Sequence, residues 1–193
     1  MNNTLIDNST VHLSMLQTLK ECLATPDLCT VRIATGYWDI PGLSLLADDI
    51  KAFLEREGTK LLLLIGKDPY VYASQVKNPK YRDMNYPIDF IRTDLHELEP
   101  KDEFENAVRL LLDFCTEGKD SKIQIRIFRK NEEDETQFLH SKCYIFDGLN
   151  AGKGYGIIGS SNFTEKGLQG NAELNYLETD VTKVLSTTHI PNH

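Results

Sequence analysis

Apolar residues in the first third of the chain follow helical and strand spacings in turn. From His12 to Leu23 the leucines recur every three or four residues, which predicts an amphipathic helix. The run Thr30–Tyr37 is short, rich in β-branched residues and closed by Gly36, as expected of a strand. A second helical stretch begins at Pro41, and the apolar run Leu61–Ile65 predicts a buried strand. This order predicts a β-α-β unit.

The rest of the chain continues the alternation after a long interruption. Residues 68–100 contain four prolines and little periodicity, which predicts a surface loop with one short helix. Apolar spacing then predicts a helix from Phe104 to Cys115. Four further strands are predicted at Ile123–Ile127, Phe138–Phe146, Tyr155–Ile158 and Ala172–Leu177. Alternating helices and strands favour an α/β fold whose mixed β-sheet is flanked by helices on both faces.

Length and composition limit the organisation and the partners of the protein. A chain of 193 residues, 40% hydrophobic and 26% charged, fits one globular domain, assigned to 1–183, with a flexible tail or truncated linker at 184–193. The net charge of −8 restricts any nucleic-acid contact to a local patch. No signal peptide, membrane span or metal-type cysteine spacing occurs in the sequence, so we expect a reduced, cytoplasmic protein.

Candidate chemistry is concentrated near the carboxyl end of the sequence. In the predicted strand Phe138–Phe146, alternation places His140 and Lys142 on one face, about 7 Å apart along the strand. Burying an ammonium and an imidazole together is costly unless an anion lies beside them. A bound phosphate group would supply that anion.

A second group of polar residues follows the next predicted strand. Gly159 allows close backbone approach, and the Ser160 hydroxyl and Asn162 amide are candidate phosphate ligands. The carboxylate of Glu173 is a candidate partner that orients the His140 imidazole. Together these residues suggest a nucleophile or base, an anion clamp and an orienting group.

These motifs resemble those of the phospholipase D superfamily. His140 to Asp147 fits the H-x-K-x4-D signature, Gly159 to Asn162 fits the G-S-x-N element, and Glu173 falls where single-motif nucleases carry an acidic residue. The resemblance implies a layered α/β/α fold and a metal-independent phosphodiesterase without a cofactor. It also implies that His140 forms a phosphohistidine, Lys142, Ser160 and Asn162 hold phosphate oxygens, Glu173 orients His140, and Asp147 is structural.

The resemblance implies an active site built from two H-x-K elements, and this sequence has one. No lysine follows two residues after any of the other histidines, which are His12, His96, His189 and His193. We therefore expect a homodimer in which a second copy of His140 acts as the acid. The leading hypothesis is an endonuclease, with DNA favoured over RNA, belonging to a restriction or helicase-linked protein with further C-terminal domains.

Two other functions remain open at this stage. A phospholipid or cardiolipin phosphodiesterase would need an apolar loop or a basic interfacial helix, and neither is evident, so no stable membrane association is expected. A non-catalytic DNA-binding or dimerisation module would keep the fold without the reaction. Lysines and arginines between Lys119 and Lys130, and tyrosines between Tyr70 and Tyr86, are candidate nucleic-acid contacts or ordinary surface residues. Trp38 and Asp39 fit either packing or substrate contact.

Overall fold

A computed structural model describes residues 2, 4–66, 104–116, 121–128, 139–148 and 153–186. The strands in these ranges are β1 Thr4–Ile6, β2 Leu28–Thr35, β3 Lys60–Ile65, β4 Ile123–Ile127, β5 Lys142–Gly148, β6 Gly154–Gly159 and β7 Asn175–Glu178. The α-helices are α1 Met15–Ala24, α2 Ile40–Ser44, α3 Ala47–Leu54, α4 Glu105–Phe114 and α5 Val181–Ser186. A 3-10 turn at Val11–Leu13 precedes α1, and a π-helix at Lys166–Gly170 lies between β6 and β7.

The strands form one mixed sheet in the order β1-β7-β6-β5-β2-β3-β4. Strands β2, β3 and β4 run parallel to one another. Strand β5 pairs antiparallel with β2, and β6, β7 and β1 continue the antiparallel half. The carboxyl end of β2 therefore lies beside the amino end of β5, which carries the H-x-K motif.

One face of the sheet carries the main hydrophobic core. Strand register aligns Ile33 of β2 with Leu63 of β3 and Tyr144 of β5, and all three side chains are buried. Helix α3 packs against both α1 and α4, and the buried apolar residues of all three helices join the same core. Because side chains alternate along a strand, the odd-numbered residues of β2 and β3 and the even-numbered residues of β5 supply this face.

The second face is covered in part by α5. The Val184 side chain, 2% exposed, lies over Gly156 of β6, where a Cβ on the glycine would come within 3.3 Å of it. Helices thus lie on both faces, which confirms the predicted α/β fold with a flanked mixed sheet. The predicted domain boundary at residue 183 falls inside α5, which continues to Ser186, and residues 187–193 lie outside the described ranges.

Local sequence explains several element boundaries. Helix α1 starts at Met15, three residues later than the periodicity predicts. It starts there because the Ser14 hydroxyl accepts a hydrogen bond from the backbone N–H of Gln17 and caps the helix. The single helix predicted after Pro41 is two helices, and both Leu43 and Leu46 are buried at the junction. Strand β1 was not predicted, since three residues are too few to show a period.

Other sequence predictions concern residues outside the described ranges. The long loop at 68–100 and the acidic turn at 131–137 lie outside the described residues. The tyrosines between Tyr70 and Tyr86 belong to the same region and stay untested as nucleic-acid contacts. By contrast, α4 and β4 match the predicted helix and strand to within one residue.

Candidate active site

The amino end of β5 holds the first pair of site residues. Lys142 is the first residue of the strand, and His140 precedes the strand instead of belonging to it. The predicted alternation therefore applies to Lys142 and Tyr144 but not to His140. His140 is exposed, whereas Lys142 is 6% exposed, and the Lys142 Nζ donates to the His140 carbonyl oxygen at 2.9 Å. The lysine thus fixes the backbone that carries the histidine.

The ammonium of Lys142 is placed in an environment that disfavours its charge. Desolvation by burial lowers the pKa of Lys142, and the nearby carboxylate of Glu173 opposes this shift. A charged group held out of water attracts an anion that enters its site, because solvent screens the interaction less there. A phosphate group bound at this point would compensate the ammonium.

The turn after β6 brings the second group of residues to the same edge. A Cβ on Gly159 would lie 2.3 Å from Asn175 Oδ1, so only glycine allows β7 to approach this closely. The exposed Ser160 hydroxyl accepts a hydrogen bond from the Leu174 backbone N–H at 2.9 Å and donates its own proton to a Glu173 carboxylate oxygen. The other carboxylate oxygen of Glu173 accepts a hydrogen bond from the side-chain NH2 group of Asn171. The predicted role of Glu173 in orienting His140 stays a prediction.

Asn162 is held with a defined orientation. Its Oδ1 accepts a hydrogen bond from the backbone N–H of Tyr37 at 3.1 Å. A backbone N–H can only donate, so the oxygen of the carboxamide must be the atom on that side. The NH2 group is therefore the end of Asn162 that can donate to a ligand.

A buried polar network beneath this turn was not predicted from the sequence. The Ser161 N–H and hydroxyl pair with the Asn175 carboxamide, at 3.0 and 2.8 Å. The Tyr144 hydroxyl donates to the Ser161 carbonyl oxygen at 2.9 Å. The Thr35 hydroxyl accepts from the Phe163 N–H at 3.0 Å. The network joins residues on distant strands and turns, so local spacing in the sequence gives no signal for it. Ser161 itself occupies the variable position of the G-S-x-N element.

Two glycines form the floor of the site at the carboxyl ends of β2 and β3. A Cβ on Gly36 would lie 3.6 Å from Lys142 Nζ and 3.3 Å from Asn162 Oδ1. A Cβ on Gly66 would lie 2.5 Å from the Leu139 carbonyl oxygen. These positions let the segment before β5 cross the sheet edge, where open α/β sheets place their ligands.

Several other candidates have structural roles. Asp147 lies toward the far end of β5 and forms an ion pair with Arg32 at 3.2 Å. Trp38 is 5% exposed and forms an isolated backbone β-bridge with Phe163, which favours a packing role over substrate contact.

The Asp39 carboxylate accepts hydrogen bonds from the backbone N–H of Gly42 at 2.7 Å and of Glu165 at 3.0 Å. It therefore caps α2 and links this helix to the turn after β6. Burial raises the pKa of Asp39 despite these bonds.

The predicted basic cluster is only partly available for binding. Lys122 Nζ donates to the carbonyl oxygens of Leu54 and Arg56, so it caps the end of α3. Arg126 is exposed on β4. Lys119, Arg129 and Lys130 lie outside the described ranges. Lys122 is therefore a poor candidate for contact with nucleic acid.

The geometry defines what the site can do chemically. The site offers the exposed His140, the buried Lys142 ammonium that donates to its carbonyl oxygen, the Ser160 hydroxyl and the oriented Asn162 amide. This set of groups suits covalent chemistry at a phosphate group. Among the described residues, no three His, Cys, Asp or Glu side chains are grouped to hold a metal ion. No helix in these ranges has the length and apolarity needed to cross a membrane.

Comparisons with known proteins agree with this class of site. A family model described as cardiolipin synthase, PLD-like domain, matches residues 17–187, so the chain belongs to the phospholipase D-like family. It is accordingly a hydrolase of the phospholipase D superfamily that acts on phosphodiester bonds. The superfamily and the enzyme class inferred from the motifs are thereby confirmed. No curated protein sequence matches the chain.

Solved structures show the same fold at low sequence identity. NucT from Helicobacter pylori is 14% identical, with a TM-score of 0.57 over 97% of this chain and 91% of that chain. Nuc from Salmonella typhimurium, a phospholipase D family member, is 12% identical, with a TM-score of 0.50 over 97% and 89%. A polyphosphate kinase from Porphyromonas gingivalis is 14% identical, with a TM-score of 0.52 over 98% and 25%.

Proposed function

We propose that this protein is a metal-independent DNA endonuclease that works through a phosphohistidine on His140. The observation that carries the proposal is that the exposed His140 lies just before β5 and that its carbonyl oxygen accepts a hydrogen bond from the buried Lys142. Ser160 and Asn162 lie on the turn after the neighbouring strand β6. The single H-x-K motif and the lack of a basic interfacial helix in the sequence favour DNA over a phospholipid. Association with restriction or helicase domains stays a prediction.

The reaction follows from the roles of these groups. A nitrogen of His140 attacks phosphorus, and the bond from phosphorus to the leaving oxygen breaks as an acid protonates that oxygen. Water then attacks phosphorus, gives a proton to the group that had acted as the acid, and displaces His140, so both groups return to their starting states. Lys142 and the Asn162 NH2 group stabilise the non-bridging oxygens. The Ser160 hydroxyl, which donates its single proton to Glu173 in the free protein, joins them by turning to the phosphate, and Glu173 then supports the charged imidazole.

A second histidine is needed to protonate the leaving group. His12, the other histidine within the described ranges, is exposed and follows β1 at the 3-10 turn. His96, His189 and His193 lie outside these ranges. Because none of these four histidines is followed by a lysine two residues later, we assign the acid to His140 of a second copy of the chain, which makes the homodimer the active form.

An exposed apolar surface next to the site supports a second copy. Leu5, Tyr176 and Ile158 are neighbours in register across β1, β7 and β6, and they are 59%, 42% and 58% exposed. Leu174, 61% exposed, lies between Glu173 and β7. Apolar clusters of this kind on a soluble protein mark interaction surfaces. Because this surface reaches the residues flanking Ser160, a copy bound there would lie close to the site.

Cleavage in excess chelator tests the proposed activity. Wild type should cut plasmid and single-stranded DNA, and His140→Ala should not, whereas the exposed control variant His12→Ala should behave like wild type. If wild type instead turns over phospholipid in liposomes and leaves DNA intact, the protein is a lipid phosphodiesterase. Binding of DNA that His140→Ala retains, with no cleavage by wild type, would indicate a non-catalytic module.

Co-expression with the inactive variant tests the shared site. If one site needs both copies of His140, equal amounts of wild type and His140→Ala should leave about one quarter of the activity, because only wild-type pairs are active. A monomeric enzyme would keep about one half. Tyr176→Asp should yield inactive monomers, whereas Leu112→Asp, at a residue that is 74% exposed on α4, should not.

A further inference from the structure

The hydroxyl of Thr35 lies at the centre of the contacts that hold Asn162. Thr35 ends β2, is fully buried and pairs in register with Lys142. Its Oγ1 donates to the Tyr37 carbonyl oxygen at 2.6 Å and accepts from the Phe163 N–H at 3.0 Å. Asn162 Oδ1 lies 3.4 Å away. One side chain thus contacts both segments that enclose Asn162.

These contacts control both the backbone and the side chain of Asn162. The Phe163 N–H belongs to the peptide directly after Asn162, so the Thr35 hydroxyl anchors the turn there. Tyr37, held through its carbonyl oxygen, donates its own N–H to Asn162 Oδ1 at 3.1 Å. A hydroxyl has one proton to donate, and the shorter bond to Tyr37 takes it. The carboxamide is therefore oriented through Tyr37.

We propose that Thr35 is a positioning residue that sets the direction of the Asn162 NH2 group toward a non-bridging oxygen of the bound phosphodiester. The inference rests on the proposed role of Asn162 as a phosphate ligand. Thr35 touches neither the substrate nor the reacting atoms. Its effect comes through Asn162, because a displacement of about 1 Å at a ligand can reduce a rate by about 100-fold.

The chemistry of the side chain defines the informative substitutions. Thr35→Val keeps the shape of the buried side chain but removes the hydroxyl, so the Phe163 N–H loses its acceptor. Thr35→Ser keeps the hydroxyl and removes a methyl group. Thr59 is a matched control, since it is 2% exposed and its hydroxyl donates to the Arg56 carbonyl oxygen at 2.8 Å, at the end of α3.

The test measures kcat and KM with bis(p-nitrophenyl) phosphate, a diester that does not depend on recognition of DNA, and the affinity for inorganic phosphate by calorimetry. Thr35→Val should lower kcat/KM by about 10- to 100-fold, and Thr35→Ser should stay within about threefold of wild type. Thr59→Val should lose stability without losing kcat/KM. In an Asn162→Ala background, Thr35→Val should change kcat/KM by less than about twofold.

Two results would overturn the inference. One is an equal loss of kcat/KM in Thr35→Val and Thr59→Val, which would make Thr35 an ordinary structural residue. The other is a full additional loss on combining Thr35→Val with Asn162→Ala, which would mean that Thr35 acts independently. If the wild type cleaves no diester, the proposed function fails, and phosphate affinity still decides the inference: Thr35→Val should weaken it and Thr59→Val should not.

Discussion

Lys142 is a residue at which activity and stability should respond in opposite directions. Its side chain is 6% exposed, and desolvation lowers the pKa of its ammonium, with Glu173 opposing the shift. The folded protein therefore holds a charge in a place that disfavours it, and a phosphate bound there would offset this cost. Lys142→Met removes the charge with little change in side-chain length. We expect this variant to be inactive and more stable than wild type.

The magnitudes follow from the contacts of the ammonium. Replacing buried charged groups by apolar side chains of similar size is neutral or stabilising by up to about 4 kcal/mol, and the lost hydrogen bond to the His140 carbonyl costs about 1 kcal/mol. The net gain of up to about 3 kcal/mol corresponds to a rise in Tm of up to about 12 °C. Loss of one group that stabilises transition-state charge should reduce kcat by about 100- to 1000-fold.

The pH dependence provides a second check on the cause. A lysine whose pKa is lower in the folded state than the ordinary 10.5 weakens stability fully while it is charged in both states. The penalty is relieved as pH rises through the folded pKa toward 10.5. The stability difference between Lys142→Met and wild type should therefore shrink at alkaline pH.

The assay is urea unfolding at several pH values together with diesterase activity. Lys153→Met is the control, because Lys153 forms an exposed ion pair with Asp27 at 2.7 Å and should change neither Tm nor kcat appreciably. A Lys142→Met variant that is less stable than wild type at neutral pH would refute the reasoning, since the ammonium would then be a net stabilising group.

Two further predictions concern the support of the site. Asn175→Ala leaves the buried N–H and hydroxyl of Ser161 without partners, so it should lower the free energy of unfolding by about 2–4 kcal/mol in urea titrations. The control Asn106→Ala, at an exposed residue, should change that free energy by less than about 0.5 kcal/mol. Gly66→Ala places a Cβ 2.5 Å from the Leu139 carbonyl oxygen and should reduce diesterase activity by displacing the backbone before His140. Gly170→Ala, whose nearest contact is at 3.8 Å, should retain activity.

The fold could be predicted from the sequence where the signals are local. Strand β3 and helix α4 follow apolar spacings that neighbouring residues alone establish, and the structure places them within one or two residues of the prediction. The break between α2 and α3 could not be predicted in this way. Both Leu43 and Leu46 are buried there, and this depends on packing against elements distant in the sequence.

The candidate site also has features that the sequence predicts and features that depend on the fold. The sequence alone determined its chemical groups, because His140, Lys142, Ser160, Asn162 and Glu173 lie within two short segments with recognisable spacing. It did not determine that His140 precedes β5 and is exposed, since alternation holds only inside a strand.

The tertiary structure alone decided how the turn that carries Ser160 and Asn162 is held. Thr35 and Asn162 are 127 residues apart in the sequence, and they meet because β2 and the turn after β6 end at the same edge of the sheet. Ser161 and Asn175 meet where β6 pairs with β7. Side-chain types and their local spacing are written in the sequence, whereas hydrogen bonds between distant segments exist only once strand order and register bring their atoms together.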